Sequence, residues 1–166
     1  MEKSAIKKIA TYAVIFLLFY LEIAVFDKLR IFGVRPELLL IATFFFGFHF
    51  GILRGMEAGI VSGLLKDIFS LSSFGINTFS FLLMGFVSGF LKNKLVRENF
   101  ITQFFLAALS VLVISVVYFL YLNQIVKSAI SREFWKASLY KGLYTGCMAP
   151  FLFFILTRIF GPKEPR

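Results

Sequence analysis

The sequence predicts an all-α integral membrane protein: a bundle of six transmembrane helices forming one polytopic domain over residues 1–166. Three observations carry that prediction. The chain is 59% hydrophobic, with 24 phenylalanines and a mean hydropathy of +0.86. Only 16% of its residues are charged, whereas a soluble domain is about 45–50% apolar with about a quarter charged. Those few charges fall mostly between apolar runs of membrane-crossing length. Too little polar surface remains to cover a water-soluble globule, so lipid must be the solvent for much of the exterior.

A hydrocarbon core of about 30 Å is crossed by roughly 20 apolar residues in a helix. The first run, 9–26, follows Lys3, Lys7 and Lys8 and is closed by Asp27, Lys28 and Arg30. It is long for a signal peptide, contains Glu22 and lacks a small-x-small cleavage site, so it reads as a retained helix. The second run, 38–53, opens after Pro36 and Glu37; proline suits a first turn and an acid suits the positive end of the helix dipole. The third, 55–71, is the least hydrophobic, interrupted by Glu57, Lys66 and Asp67. It is a full span or a re-entrant segment, giving six crossings or five.

Residues 74–91 form the fourth run, 101–122 the fifth and 139–160 the sixth, which contains Pro150 and is expected to kink there. The connection 123–138 places Trp135 among Lys127, Arg132, Glu133 and Lys136, the pattern of a short amphipathic surface helix. An even number of spans puts both termini on one side. The clusters at the N-terminus and at Lys92-Asn93-Lys94 favour a cytoplasmic location for that side, because basic residues flanking short loops orient a chain.

Gly47, Gly51, Gly55, Gly59 and Gly63 recur every four residues, and Gly85 and Gly89 repeat the interval in the fourth run. Such spacing keeps small residues on one slowly drifting helix face, where backbones approach closely in lipid. Gly51, Gly55, Gly59, Gly63, Gly85 and Gly89 are therefore the expected packing positions. Runs two to four should form the tight part of the bundle, with runs one and five nearer lipid. The similar segments Gly59-Ile-Val-Ser-Gly63 and Gly85-Phe-Val-Ser-Gly89 read as two helices answering the same packing demand, with an internal duplication the lesser alternative.

Candidate chemistry is sparse. Glu22, His49, Arg54, Glu57, Lys66 and Asp67 lie in or near the apolar runs, where charge is costly and a functional role is the default hypothesis. Most fall near run ends, where contact with the interface explains them without function; Glu22 reaches the interface or faces a groove or partner. No Cys or His cluster has metal-ligand spacing. His49 would have to serve alone in any triad, and the glycines are not followed by Gly-Lys-Ser/Thr. The sequence thus predicts no enzyme, no metal and no cofactor. Cys147, the single cysteine, is expected to pack as a small hydrophobe. The net charge of +9 suits basic loop ends on anionic headgroups rather than nucleic acid.

The stretch Arg35-Pro36-Glu37-Leu38-Leu39-Leu40 is followed by Gly51-Ile-Leu-Arg-Gly55, by Gly59-Ile-Val-Ser-Gly63-Leu-Leu-Lys66-Asp67 and by Gly75-Ile76-Asn77-Thr78. In this order it resembles the rod shape-determining protein MreD family. The motif match covers residues 35–94, and beyond it only the hydropathy agrees. Lys66 before Asp67 departs from the small or apolar residue more usual in the family.

The resemblance implies a non-enzymatic subunit of the bacterial cell-elongation machinery in the cytoplasmic (inner) membrane. It would bind MreC and, through it, help couple MreB filaments to the peptidoglycan polymerase RodA and a penicillin-binding transpeptidase. It also implies a likeness to the six-helix substrate-binding subunits of energy-coupling vitamin transporters, with a groove that a partner helix or lipid could occupy. Phe44, Phe45, Phe46 and Phe48, with Gly75 to Ser80, are the candidate partner surface. Asp67 and Asn77 either join that surface or shape their loop through side-chain hydrogen bonds. The competing reading is a small-molecule-binding transporter subunit, disfavoured by too few polar residues able to converge in the outer half of the bundle. A membrane enzyme acting on lipid-linked substrates is a third.

Overall fold

A computed structural model describes residues 2–26, 28–69, 75–92, 100–126 and 132–160, with side chains outside 2–8 and 122–126. Among these residues it contains six helices: α1 Glu2–Ala24, α2 Leu38–Phe50, α3 Ile52–Phe69, α4 Ile76–Leu91, α5 Phe100–Val126 and α6 Arg132–Phe160. Among the described residues there is no strand, only an isolated bridge between Ile31 and Val34 in the α1–α2 connection. Among the described residues two helices are long and apolar enough to cross a membrane, Phe100–Tyr121 and Arg132–Phe160, while Ile9–Ala24, Leu38–Phe50 and Ile76–Leu91 are shorter apolar helices. The side chains of Lys3, Lys7, Lys8, Asp27, Lys94, Arg97 and Lys127, and the expected run ends at 71 and 74, lie outside the described residues.

The centre of the bundle is α2, which touches all five other helices. Its residues Leu38–Phe48 are buried without a break, as expected of a helix that is hydrophobic all round. Phe45 packs edge-on against Phe153 of α6 and stacks on His49, and Phe46 meets Phe160. At 13 residues α2 is about 20 Å long, shorter than the run 38–53 suggested. It stops at Phe50 because Gly51 takes φ +97°, a left-handed backbone that reverses the chain into α3.

Gly51 is thus a turn residue, not part of the packing stripe: a Cβ there would meet only the Lys92 side chain. Of the other stripe glycines, Gly47 of α2 lies against Ser88 and Gly85 of α4, and the rest lie in a seam between α3 and α4. A Cβ on Gly55 would overlap the Gly85 carbonyl, one on Gly59 the Phe81 carbonyl, and one on Gly63 the Thr78 backbone; Gly85 faces Gly55, and Gly89 faces Ile52. The α5–α6 pair is looser, since a Cβ on Gly142 would sit 3.3 Å from the Ala108 oxygen.

Two further expectations change. Among the described residues of 123–138, α5 runs to Val126 and α6 begins at Arg132, so Trp135 belongs to the first turn of the long α6 rather than to a short surface helix, and sits against Phe119 and Phe134. Cys147 is exposed on α6 rather than packed inside. It follows Gly146, which lies against Phe104 of α5, and one step along a helix turns it away from that contact. Helix α6 continues through Pro150.

Candidate functional site

The six helices alternate in direction, so the C-terminal ends of α1, α3 and α5 meet the N-terminal ends of α2, α4 and α6. Side chains that the sequence scatters over more than a hundred residues converge there. Glu22 is only 2% exposed. Its carboxylate accepts the Leu39 N–H at 3.2 Å and pairs with Lys66 Nζ at 3.0 Å. Lys66 also pairs with Glu37, which pairs in turn with Lys141 of α6. The Glu37 N–H donates to Thr145 Oγ1 at 3.1 Å, and Arg35 lines the same space. The resulting chain Glu22–Lys66–Glu37–Lys141 ties α1, α3, the start of α2 and α6 together.

Beside it lies a second polar knot. Asp67, 1% exposed, accepts four hydrogen bonds: Asn77 N–H (3.1 Å), Asn77 Nδ2 (2.9 Å), Thr78 N–H (2.9 Å) and Thr78 Oγ1 (2.6 Å). Tyr118 of α5 donates to Asn77 Oδ1 at 2.7 Å. Neither α2 nor α4 has a side-chain cap of its own, their N-cap residues being Glu37 and Gly75. Each takes one from another helix instead: Glu22 reaches the start of α2 and Asp67 the start of α4. A carboxylate there satisfies first-turn N–H groups that lack helical partners and meets the positive end of the dipole. Both acids end one helix and begin another.

The sequence-derived candidates separate sharply against this geometry. Phe44, Phe45, Phe46 and Phe48 are all buried and form part of the core around α2. Asp67 and Asn77 come together in the hydrogen-bonded arrangement of the loop-shaping alternative. Gly75, exposed at φ +94°, provides the left-handed residue that starts α4, and a Cβ there would meet nothing within 4 Å. Arg54 and Glu57 pair with each other at 2.8 Å, half-exposed, at the opposite end of the bundle. His49 stacks on Phe45 with 4.2 Å between ring centres.

Sequence reasoning missed the convergence of Glu22, Arg35, Glu37, Lys66 and Lys141, and the objection that too few polar groups meet in this half of the bundle is corrected by it. A usable signal was present: with alternating helices, each of these residues falls at the same end. Among the described residues no three His, Cys, Asp or Glu side chains are placed to hold a metal. What the cluster offers chemically is fixed charge of both signs in a partly enclosed space.

A family model described as rod shape-determining protein MreD matches residues 6–159. Neither a curated protein nor a solved structure matches the chain, so no solved structure supports the expected likeness to energy-coupling transporter subunits. The family match extends well past residue 94, into the part of the chain where only hydropathy resembled the family. The family is one of shape-determining membrane proteins and is not a known enzyme family. With all but the two ends of its 166 residues matched, this chain belongs to the rod shape-determining protein MreD family.

Proposed function

We propose that the protein is a non-enzymatic, six-span subunit of the rod complex with both termini cytoplasmic. In this reading it binds MreC in the membrane and helps couple MreB filaments to peptidoglycan synthesis by RodA and its transpeptidase. The observation that carries the reading is the family match over residues 6–159. Supporting it, Glu22, Glu37, Lys66, Asp67 and Lys141 hold helix ends together, the work of a scaffold. The antiparallel order of the helices is what six crossings require. A single-span partner would then dock on an outward apolar helix face, since the α2 phenylalanines are enclosed. The charged cleft also fits the transporter-subunit reading, but family membership weighs against it.

Co-purification from detergent tests the proposal. Tagged MreC should retain this protein through affinity and size-exclusion steps, and an unrelated single-span protein should not. Equal recovery with both, or with neither, would remove MreC as the partner while leaving family membership untouched.

A further inference from the structure

Helix α6 meets two different neighbours along its length. In its first half it runs beside α5, with Gly142 against Ala108 and Gly146 against Phe104. Continuing that register brings Phe100, the first residue of α5, level with Pro150. Beyond Pro150 the neighbour is α2. Phe153 meets Phe45 with 5.4 Å between ring centres, Phe160 meets Phe46 at 5.2 Å, and Leu156 between them is buried. Pro150 has no N–H to offer the Gly146 carbonyl, so the helix lacks a hydrogen bond where its two halves join. Bends in a helix concentrate at such a residue.

What ties α5 and the first half of α6 to the other helices is polar and sits at the charged end. Lys141 pairs with Glu37, and Thr145 Oγ1 accepts the Glu37 N–H at 3.1 Å. Tyr118 donates to Asn77 at 2.7 Å, and Tyr144 to the Leu29 carbonyl at 3.4 Å. Among the described residues the backbones of α1 and α3 do not approach α5 or α6, and α5 touches α2 and α4 only lightly. Between the ties the interface is unfilled. A cleft of about 250 Å³ has Val34, Glu37 and Asn77 on one side and Ile114, Tyr118 and Lys141 on the other. We propose that α5 and the first half of α6 form an arm that swings about Pro150, latched at the charged end through Glu37. The two attachments differ in how they release. The Lys141 side chain is 33% exposed, so water can replace it at Glu37, and ion pairs within reach of water hold weakly. Phe153 and Leu156 interlock with α2 in the core, where water has no access. Helices α3 and α4 stay fixed to each other through the glycine seam. Release of the latch widens the cleft into a groove between α4 and α5. The inference rests on this packing and is independent of the partner proposed above.

The test measures distances between paired spin labels on the full chain in detergent, by double electron–electron resonance in a Cys147→Ser background. One pair joins the arm to α4 at the charged end, Leu139→Cys with Phe79→Cys. The other spans the opposite end, Ile159→Cys with Leu53→Cys, and all four positions are exposed. Leu139 lies eleven residues from Pro150, about 16 Å along the helix, so a swing of about 20° carries it about 6 Å. Lys141→Gln should add a component longer by up to about 6 Å to the first pair and leave the second unchanged. Adding Pro150→Ala, which restores the missing N–H, should return the first pair to the parent distribution. An unchanged first pair, an equal change in both pairs, or widening that survives Pro150→Ala would overturn the proposal. Should Lys141→Gln fail to fold, Tyr118→Phe decides by the same readout. Losing only the hydroxyl on Asn77, it should add the longer component to a smaller extent, and its absence would overturn the proposal.

Discussion

Helix α3 is packed in two different ways along its length. Over its first three turns Gly55, Gly59 and Gly63 press its backbone against that of α4. In its last turn Lys66 reaches Glu22 and Glu37, and Asp67 holds the start of α4. The change follows the surroundings. In an apolar interior, apolar side chains gain nothing by leaving lipid, so close backbone approach supplies the attraction. At the end of the bundle, unpaired helix N–H groups are available and charges can be solvated until they pair. The glycine seam depends on shape and the charged end on partners, and substitutions should separate them.

The largest effect is expected in the seam. Gly59→Leu should remove most of the folded, monodisperse protein seen by size exclusion, because the atom in the way is a backbone carbonyl of α4 that cannot swing aside. Val113→Leu, on an outward-facing residue of α5, should leave the profile unchanged. Similar profiles for the two variants would break the shape argument.

Next comes the charged end. Lys66→Gln strands Glu22 without its cation, and breaking a buried pair costs about 3–5 kcal/mol. Adding Glu22→Gln should recover part of the loss in a melting experiment, and a strictly additive double variant would deny the coupling. Smaller again, Asp67→Ala should cost about 1–2 kcal/mol, the scale of a lost helix cap, and lower folded yield without abolishing it. Unchanged yield with weakened MreC co-purification would instead put Asp67 at the partner contact. The smallest change is Gly142→Ala in the looser α5–α6 pair. Its stability, read by thermal melting, should stay within about 1 kcal/mol of the parent's, because better helix propensity offsets a 3.3 Å contact.

How much was legible in the sequence follows the same division. Gly55, Gly59 and Gly63 announce themselves because a four-residue interval is local, and one helix face can be read without knowing its neighbour. Gly51 shares the interval yet makes a turn, since spacing carries no information about φ. The burial of the α2 phenylalanines was not legible, because a run of apolar side chains reads alike whether it faces lipid or five other helices. The pairing of Glu22 with Lys66 and of Glu37 with Lys141 depends on which helix ends meet, a property of the assembled bundle. Asp67 and Asn77 were the exception: they lie close enough in sequence for a shared loop to suggest their bond.

The central claim is that these helices cross the membrane in alternation, with the charged end at the outer surface. Single cysteines in a Cys147→Ser background test it directly, at Leu29 beside the charged end and at Leu53 near the start of α3, both exposed. In intact cells a membrane-impermeant maleimide should label Leu29→Cys, and should label Leu53→Cys only after permeabilisation. Labelling of both from the same side, or the reverse pattern, would contradict the account.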